Sequence, residues 1–133
     1  MRQRPSAASC RCAAGRSPRR GSSLPDADCL FCNLVREGDH VHAGEGFVAI
    51  RDINPQADTH LLVLPERHVD TFRDIGAFPP DEAKRMLEFV AETAKVAGVE
   101  DYRVVVNVGP GAGQTVFHLH WHILGGRMRG LPA

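Results

Sequence analysis

The sequence has no apolar run that approaches the roughly 20 residues of a membrane-spanning helix. Its first 25 residues contain no acidic side chain, and they also lack the apolar segment of a secretory signal. We therefore expect a cytoplasmic protein without a membrane partner. The sequence contains no internal repeat, and 133 residues with 43% hydrophobic content are enough for one domain.

Charge is unevenly distributed along the chain, although the formal sum is zero. Residues 1–25 carry six arginines, whereas the remainder has ten basic and sixteen acidic residues. A segment so rich in Arg, Ser, Ala, Pro and Gly cannot bury enough apolar surface to fold. We predict a disordered tail over residues 1–25, or an extension from a mis-assigned start codon, and one domain over residues 26–133. Because this domain is acidic, we expect no nucleic-acid partner.

The pattern of the domain favours an α+β fold. Strand patterns outnumber helix patterns and mostly follow one another, which is typical of an antiparallel sheet. A long helix is predicted to begin at Pro79-Pro80-Asp81 and to be capped by Gly98. Its apolar stripe consists of Ala83, Met86, Leu87, Val90, Ala94 and Ala97. A short helix is predicted at residues 29–36, and strands at residues 47–51, 60–64 and 103–106.

The most informative segment is Val116–Leu124, which contains three histidines at alternate positions. This period of two predicts a strand, with His118, His120 and His122 on one face and Phe117, Leu119, Trp121 and Ile123 in the core. Three imidazoles on one face indicate chemistry, because each can act as a nucleophile, a base or a metal ligand near neutral pH.

The spacing along a strand limits what these histidines can bind together. Same-face neighbours lie roughly 6.5–7 Å apart, so His118 and His122 are separated by about 13 Å at Cβ. Since imidazole–metal bonds are only about 2 Å long, one ion cannot take all three side chains. At least one of the histidines must therefore have a different task.

A glycine-rich connection, Gly109-Pro110-Gly111-Ala112-Gly113, precedes the histidine segment. Glycines let a backbone approach a ligand closely, and exposed N–H groups in such a loop suit a phosphate. An ordinary hairpin loop is the alternative. The histidines nearby, and Gln114 and Thr115 at the loop exit, favour an anion-binding loop.

Cys29 and Cys32 form a Cys-x-x-Cys pair with three possible interpretations. A redox pair lacks the expected βαβ surroundings, and a disulfide lacks any sign of secretion. Half of a tetrahedral zinc site would need two further ligands. Two unligated buried cysteines are also possible. Cys10 and Cys12 lie in the predicted tail, and we assign them no role.

Two long blocks resemble the histidine-triad (HIT) superfamily. The first is Gly113–Arg127, whose Gly125-Gly126-Arg127 ending is similar to the Hint branch of purine nucleoside phosphoramidases. The second runs from Asp52 to His68, and the resemblance as a whole covers about Asp28 to Arg127. It implies an antiparallel sheet of about five strands, with one long and one short helix packed on it, and a homodimer. The stretch from Glu37 to Gly46 is shorter than in the Hint pattern.

The resemblance also implies ligands for the cysteine pair. Cys29, Cys32, His68 and His118 match zinc-binding positions of many bacterial HIT proteins. Such a site would be closed and structural, so no cofactor would be needed for the reaction itself.

The activity implied by the resemblance is hydrolysis of a purine nucleoside 5′-phosphoramidate through a nucleotidyl-histidine intermediate. His120 matches the nucleophile, His122 the residue that binds phosphate oxygens and supports proton transfer, and His60 a histidine beside the triad. The matches to nucleotide and phosphate contacts are Asp52, Asn107, Gln114 and Thr115.

The purine base requires an apolar pocket, for which we select Phe31, Ile50, Ile53 and Leu62. Alternative functions are hydrolysis of dinucleoside polyphosphates, nucleotide binding by a regulatory or scaffold protein with little turnover, and direct metal binding by the histidine strand.

Overall fold

A computed structural model describes residues 29–129 of the chain. The predicted tail over residues 1–25 lies outside this range. The helices and strands, in chain order, are α1 (Leu30–Glu37), β1 (His42–Gly44), β2 (Phe47–Arg51), β3 (Ala57–Pro65), α2 (Pro80–Val96), β4 (Tyr102–Val105) and β5 (Trp121–Met128). Short 3₁₀ turns lie at Phe72–Ala77 and Pro110–Ala112.

The strands form one antiparallel sheet in the order β1-β2-β3-β5-β4. Helix α2 covers one face, where Phe47, Leu61 and Ile123 join its apolar side in the main core. Helix α1 covers the other face with a smaller core that includes Phe31 and both described cysteines. The predicted α+β fold, with about five strands, one long helix and one short helix, is confirmed.

Helix α2 follows the sequence prediction except along its apolar stripe. Its first turn contains the acidic residues Asp81 and Glu82, which are favourable at the positive end of a helix dipole. It ends at Val96, and Gly98, two residues later, has a φ of +77° and donates to the Lys95 carbonyl, as is typical after a glycine-terminated helix. Leu87, predicted to be buried, is 55% exposed, whereas Phe89, outside the predicted stripe, is buried.

The strand predicted over residues 116–124 is wrong in its extent, because β5 begins only at Trp121. The partner strand β3 ends at Pro65, and beyond it Leu119 N–H instead donates to the Val69 carbonyl at 2.6 Å. The predicted alternation of faces holds from Leu119 onward, because Leu119, Trp121 and Ile123 lie in the main core. It is wrong for Phe117, which is only partly buried and lies outside the main core. Residues 116–118 instead form a bend, and the chain joins the sheet only at Trp121.

The two glycines of the Gly125-Gly126-Arg127 ending lie where any side chain would collide with a neighbouring residue. A Cβ on Gly125 would lie 2.5 Å from Val99 Cγ1, and one on Gly126 would lie 2.8 Å from Asp58 Cβ. Gly126 also has φ of +79°, which favours glycine. This turn lets Arg127 N–H donate to Asp58 Oδ2 at 2.9 Å. The ending therefore has a structural reason in addition to its value as a family signature.

Strand β1 was not predicted, since it consists of only three residues in the shortened stretch before β2. Within residues 29–129, no helix combines the length and the apolar character needed to cross a bilayer.

Candidate active site

An open cavity of about 630 Å³ lies between α1, the end of β2 and the histidine segment. This volume is typical of a small-molecule site. Six predicted site residues line it: Asp52, His60, Asn107, Thr115, His120 and His122. All four residues predicted for the base pocket, Phe31, Ile50, Ile53 and Leu62, line the same cavity. The cavity thus has an apolar end and a histidine-rich end.

The tautomer of His120 is set by the backbone. Its Nδ1–H donates to the His118 carbonyl at 2.7 Å, so in the neutral ring Nε2 carries the lone pair. The Phe31 ring packs edge-on against the imidazole, with centroids 4.9 Å apart. His120 is therefore held in one orientation with a nucleophilic nitrogen available.

A backbone amide sets the tautomers of His60 and His122 in turn. Gln56 N–H donates to His60 Nδ1 at 2.9 Å, and this places the His60 proton on Nε2. His60 Nε2 lies 2.9 Å from His122 Nδ1 and 3.3 Å from Asp52 Oδ2. Because His122 Nδ1 accepts from His60, the proton of His122 lies on Nε2. That nitrogen is buried and has no hydrogen-bond partner among the described residues. It provides an unused donor beside the nucleophile.

The electrostatic surroundings keep these imidazoles neutral at pH 7. Burial lowers the pKa of His120, and the bond to the His118 carbonyl and the charge of Asp52 offset this only in part. Burial, together with His120 and His60, lowers the pKa of His122 to about 3. Burial also lowers the pKa of His60, against the opposing effect of Asp52. A neutral nucleophile and a neutral donor are thus both present at physiological pH.

The four residues predicted to bind metal, Cys29, Cys32, His68 and His118, come together as one buried group, the cysteine–histidine cluster. Their ligand atoms all lie within 4.8 Å of one another. His118 Nε2 donates to the Pro65 carbonyl at 2.8 Å, and His68 Nε2 donates to Asp70 Oδ1 at 2.7 Å. Both rings therefore direct an Nδ1 lone pair toward the sulfurs, as histidine ligands do.

The cluster dimensions fit a tetrahedral metal ion such as zinc. With bonds of about 2.3 Å to sulfur and 2.0–2.1 Å to nitrogen, tetrahedral zinc places these atoms roughly 3.6 Å apart. The corresponding distances from His118 Nδ1 are 3.7 Å to Cys29 Sγ and 3.3 Å to Cys32 Sγ. Binding by all four residues requires both cysteine sulfurs to be reduced, because zinc is bound by thiolates, and Cys32 is a buried thiol in the structure.

Gln114 is the predicted contact residue that the structure does not place at the cavity. Its amide is buried and bonded to backbone groups of Gly109, Asp70 and Val116. In the loop before it, the N–H groups of Ala112, Gly113 and Gln114 also donate to loop carbonyls. The predicted anion-binding loop would need these amides to be directed at a ligand, and they are directed at loop carbonyls instead.

Comparisons with known proteins agree with this geometry. The family model described as HIT domain matches residues 34–129. The chain belongs to the HIT domain family. A HIT-like protein of Chlamydia pneumoniae is 47% identical over 99 residues, which cover 71% of this chain and 87% of that protein. The purine nucleoside phosphoramidase of Escherichia coli (strain K12) is 34% identical over 108 residues, covering 77% of this chain and 91% of that protein.

Solved structures of HIT proteins share the fold. A histidine triad protein from Clostridium difficile superposes with a TM-score of 0.69 at 33% identity, covering 83% of this chain and 98% of that chain. A HIT family hydrolase from Legionella pneumophila Philadelphia 1 has a TM-score of 0.67 at 36% identity, with 79% and 98% covered.

This HIT domain has further apolar cavity residues that were not predicted. Leu30 and Leu34 line the cavity from α1, one helical turn apart on either side of Phe31, and Val116 closes it from the histidine segment. Helical spacing from Phe31 would have found Leu34, three residues later, but not the adjacent Leu30. Ile53, which was predicted, is 90% exposed at the cavity rim.

The lowered pKa of His122 predicts acid sensitivity of the HIT domain. An unfolded histidine titrates near 6.5, so between about pH 3 and 6.5 the unfolded state binds the additional proton. The free energy of unfolding should fall as pH is lowered through this window, by about 1.4 kcal/mol per pH unit near pH 5 for this one group. Urea unfolding at pH 7 and pH 5 should show a smaller loss for His122→Gln than for wild type. Equal losses would mean that His122 is not buried in its neutral form.

Proposed function

We propose that this HIT domain hydrolyses the P–N bond of purine nucleoside 5′-phosphoramidates through a nucleotidyl-histidine intermediate on His120. One observation carries the proposal: His120 and His122 line one cavity with complementary nitrogens, a lone pair on His120 Nε2 and a proton on His122 Nε2. The similarity to the Escherichia coli purine nucleoside phosphoramidase supports this choice of substrate class.

The reaction would proceed in two displacements. His120 Nε2 attacks phosphorus in line, the P–N bond breaks, and the departing amine takes up a proton. Water then attacks the same phosphorus, releases the nucleoside monophosphate and frees His120. The proton that the amine gains is balanced by the proton that the water loses. Throughout, His122 Nε2–H donates to a phosphate oxygen on which negative charge builds up, in a buried site where such a bond is strong.

The opposite end of the cavity suits a nucleoside. Asp52 offers two carboxylate oxygens, of which Oδ1 already accepts from Asn54 N–H at 2.8 Å. Its remaining lone pairs suit the two ribose hydroxyls, because an ionised carboxylate only accepts hydrogen bonds. Asn107 and Thr115 add polar groups along the wall. The apolar residues, with exposed Ile53 and Leu30 at the rim, provide faces for the base.

The cysteine–histidine cluster would hold a structural zinc ion when its sulfurs are reduced. Burial and the neighbouring His68 lower the pKa of His118 to about 3, so its ring is neutral as a metal ligand must be. All four ligand positions come from the protein, which leaves no open position for a substrate. Bound zinc would cross-link α1 to the loop after β3, and the reaction would use the histidines alone.

We also propose a homodimer formed along β4. This strand is at the edge of the sheet, and β5 is its only strand partner within residues 29–129. Val104 on β4 is 45% exposed, and Leu87 on α2 is also exposed. An exposed apolar edge strand can pair with a second copy. Sedimentation equilibrium should give twice the monomer mass.

The proposal is tested by comparing the hydrolysis of two classes of substrate. The protein is incubated with adenosine 5′-phosphoramidate esters of primary amines and, separately, with diadenosine tetraphosphate. The proposed function predicts amine and AMP release with a higher kcat/KM than cleavage of the dinucleotide. Preferred cleavage of the dinucleotide would indicate a polyphosphate hydrolase, and tight AMP binding without turnover of either substrate would indicate a binding protein.

A further inference from the structure

Gln114 is a buried side chain whose hydrogen-bonding capacity is committed to the backbone. It is 3% exposed. Its Oε1 accepts from Gly109 N–H at 2.9 Å, and its Nε2 donates to the carbonyls of Asp70 at 2.8 Å and Val116 at 3.1 Å. A primary amide has two N–H donors, so neither remains for a substrate. A direct contact with a scissile bond would require Gln114 to abandon buried bonds.

The same side chain closes the glycine loop beside the cavity. Gly109 begins the 3₁₀ turn Pro110–Ala112, and its φ of +85° sets the direction of the loop. Besides the side-chain bond, Gln114 N–H donates to the Gly109 carbonyl at 3.0 Å. The loop ends at Gly113 and Thr115, which line the cavity next to the histidines. Gln114 therefore determines where this part of the cavity wall lies.

Gln114 is also connected to the cysteine–histidine cluster. Gln114 Nε2 donates to the backbone carbonyl of Asp70. The side-chain carboxylate of the same residue accepts from His68 Nε2 at 2.7 Å. His68 Nδ1 lies 3.2 Å from Cys32 Sγ inside the cluster. A continuous path of hydrogen bonds and one residue backbone thus leads from the cluster through Asp70 and Gln114 to Gly109.

We propose that Gln114 is a positioning residue that fixes the Gly109–Thr115 loop at the phosphate end of the cavity and makes its order depend on the cysteine–histidine cluster. The inference rests on the proposed function for the identity of the ligand, a nucleoside 5′-phosphate. It assigns Gln114 a role in binding the phosphate group that does not involve touching the reacting atoms.

Hydrogen exchange at the Gly109 amide tests this role directly. In ¹⁵N-labelled Gln114→Ala protein, this buried amide loses its acceptor, and its exchange rate should rise about tenfold or more, as expected for loss of one hydrogen bond. The affinity for AMP, measured by calorimetry, should fall by about the same factor. Gln114→Glu retains the volume and the acceptor but places a carboxylate against two carbonyls, so its AMP affinity should also fall. Asp74→Asn, an exposed change on the preceding 3₁₀ turn, should leave both quantities unchanged.

The connection to the cluster is tested by adding and removing zinc under reducing conditions. In wild type, stripping the metal with a chelator should speed exchange at Gly109, whereas in Gln114→Ala it should cause no further change. With phosphoramidate substrates, the loss of kcat/KM in Gln114→Ala should be the same for good and poor leaving amines.

Two results would overturn the proposal. One is a folded Gln114→Ala protein in which the Gly109 amide exchanges hydrogen at the same rate as in wild type. The other is unchanged AMP affinity with a kcat loss that grows as the leaving amine becomes poorer, since this pattern means direct contact with the leaving group. If wild type binds AMP but releases no amine, the proposed function fails, while the exchange and affinity measurements still decide the role of Gln114.

Discussion

Replacement of His120 with alanine should lower kcat/KM for amine release by about 10⁴-fold or more, the scale seen when a catalytic nucleophile is removed. The expectation follows from the geometry: the bond from Nδ1 to the His118 carbonyl leaves Nε2 of this ring as the lone pair offered to phosphorus. His122 cannot substitute, because its Nδ1 accepts from His60 and its Nε2 carries the proton. Steady-state kinetics on a phosphoramidate ester provides the measurement.

A matched control separates loss of the nucleophile from loss of the cavity. His40 lies outside the cavity, where its Nε2 contacts the Leu34 carbonyl at 3.1 Å, so His40→Ala should retain wild-type turnover. The His120→Ala protein should still bind AMP, because Asp52, Asn107 and the apolar wall are unchanged. Turnover within tenfold of wild type in a pure His120→Ala preparation would mean that another group attacks phosphorus.

Conversion of Cys29 and Cys32 to serine should remove metal and much of the stability. Wild type loaded under reducing conditions should contain about one zinc per chain, and the double variant none, because a neutral serine hydroxyl does not replace a thiolate ligand. Structural zinc contributes on the order of 10 kcal/mol in small metal-dependent domains, and a loss of several kcal/mol is expected here. Elemental analysis and urea unfolding with and without a chelator provide the measurements.

The corresponding control uses the two cysteines outside the described residues. Under the same reducing conditions, Cys10→Ser with Cys12→Ser should leave zinc content and stability as in wild type, because neither cysteine belongs to the cysteine–histidine cluster. Full zinc content in the Cys29, Cys32 double variant would exclude the cysteine–histidine cluster. The metal would then have to lie elsewhere, and Asp52, His60 and His122 form the other group of suitable ligands within residues 29–129.

Much of the fold could be predicted because the local pattern and the tertiary structure agree. The alternation in Val116–Leu124 correctly predicted that Leu119, Trp121 and Ile123 face the core, but it failed at Phe117, where the chain bends. It could not predict where the ladder begins. That depends on β3 ending at Pro65 and on the hydrogen bond between Val69 and Leu119, which lie 50 residues apart in sequence.

The candidate site was also predictable only in part. The structure brings ten of the predicted residues to one cavity, and it groups His68 and His118 with the cysteines as the family resemblance implies. The sequence could not show which way an amide turns: Gln114 lies beside the cavity but bonds to the backbone. The tautomers of His60 and His122 also depend on Gln56 N–H, whose direction is set by the turn between β2 and β3.

The stereochemical course at phosphorus tests the central claim most directly. An adenosine phosphoramidate made chiral at phosphorus by sulfur substitution is hydrolysed in ¹⁸O-labelled water, and the configuration of the product is determined. Attack by His120 followed by attack by water is two in-line displacements, so the account predicts net retention, whether or not the intermediate accumulates. Net inversion would show that water attacks the substrate directly, and it would contradict a nucleotidyl-histidine intermediate.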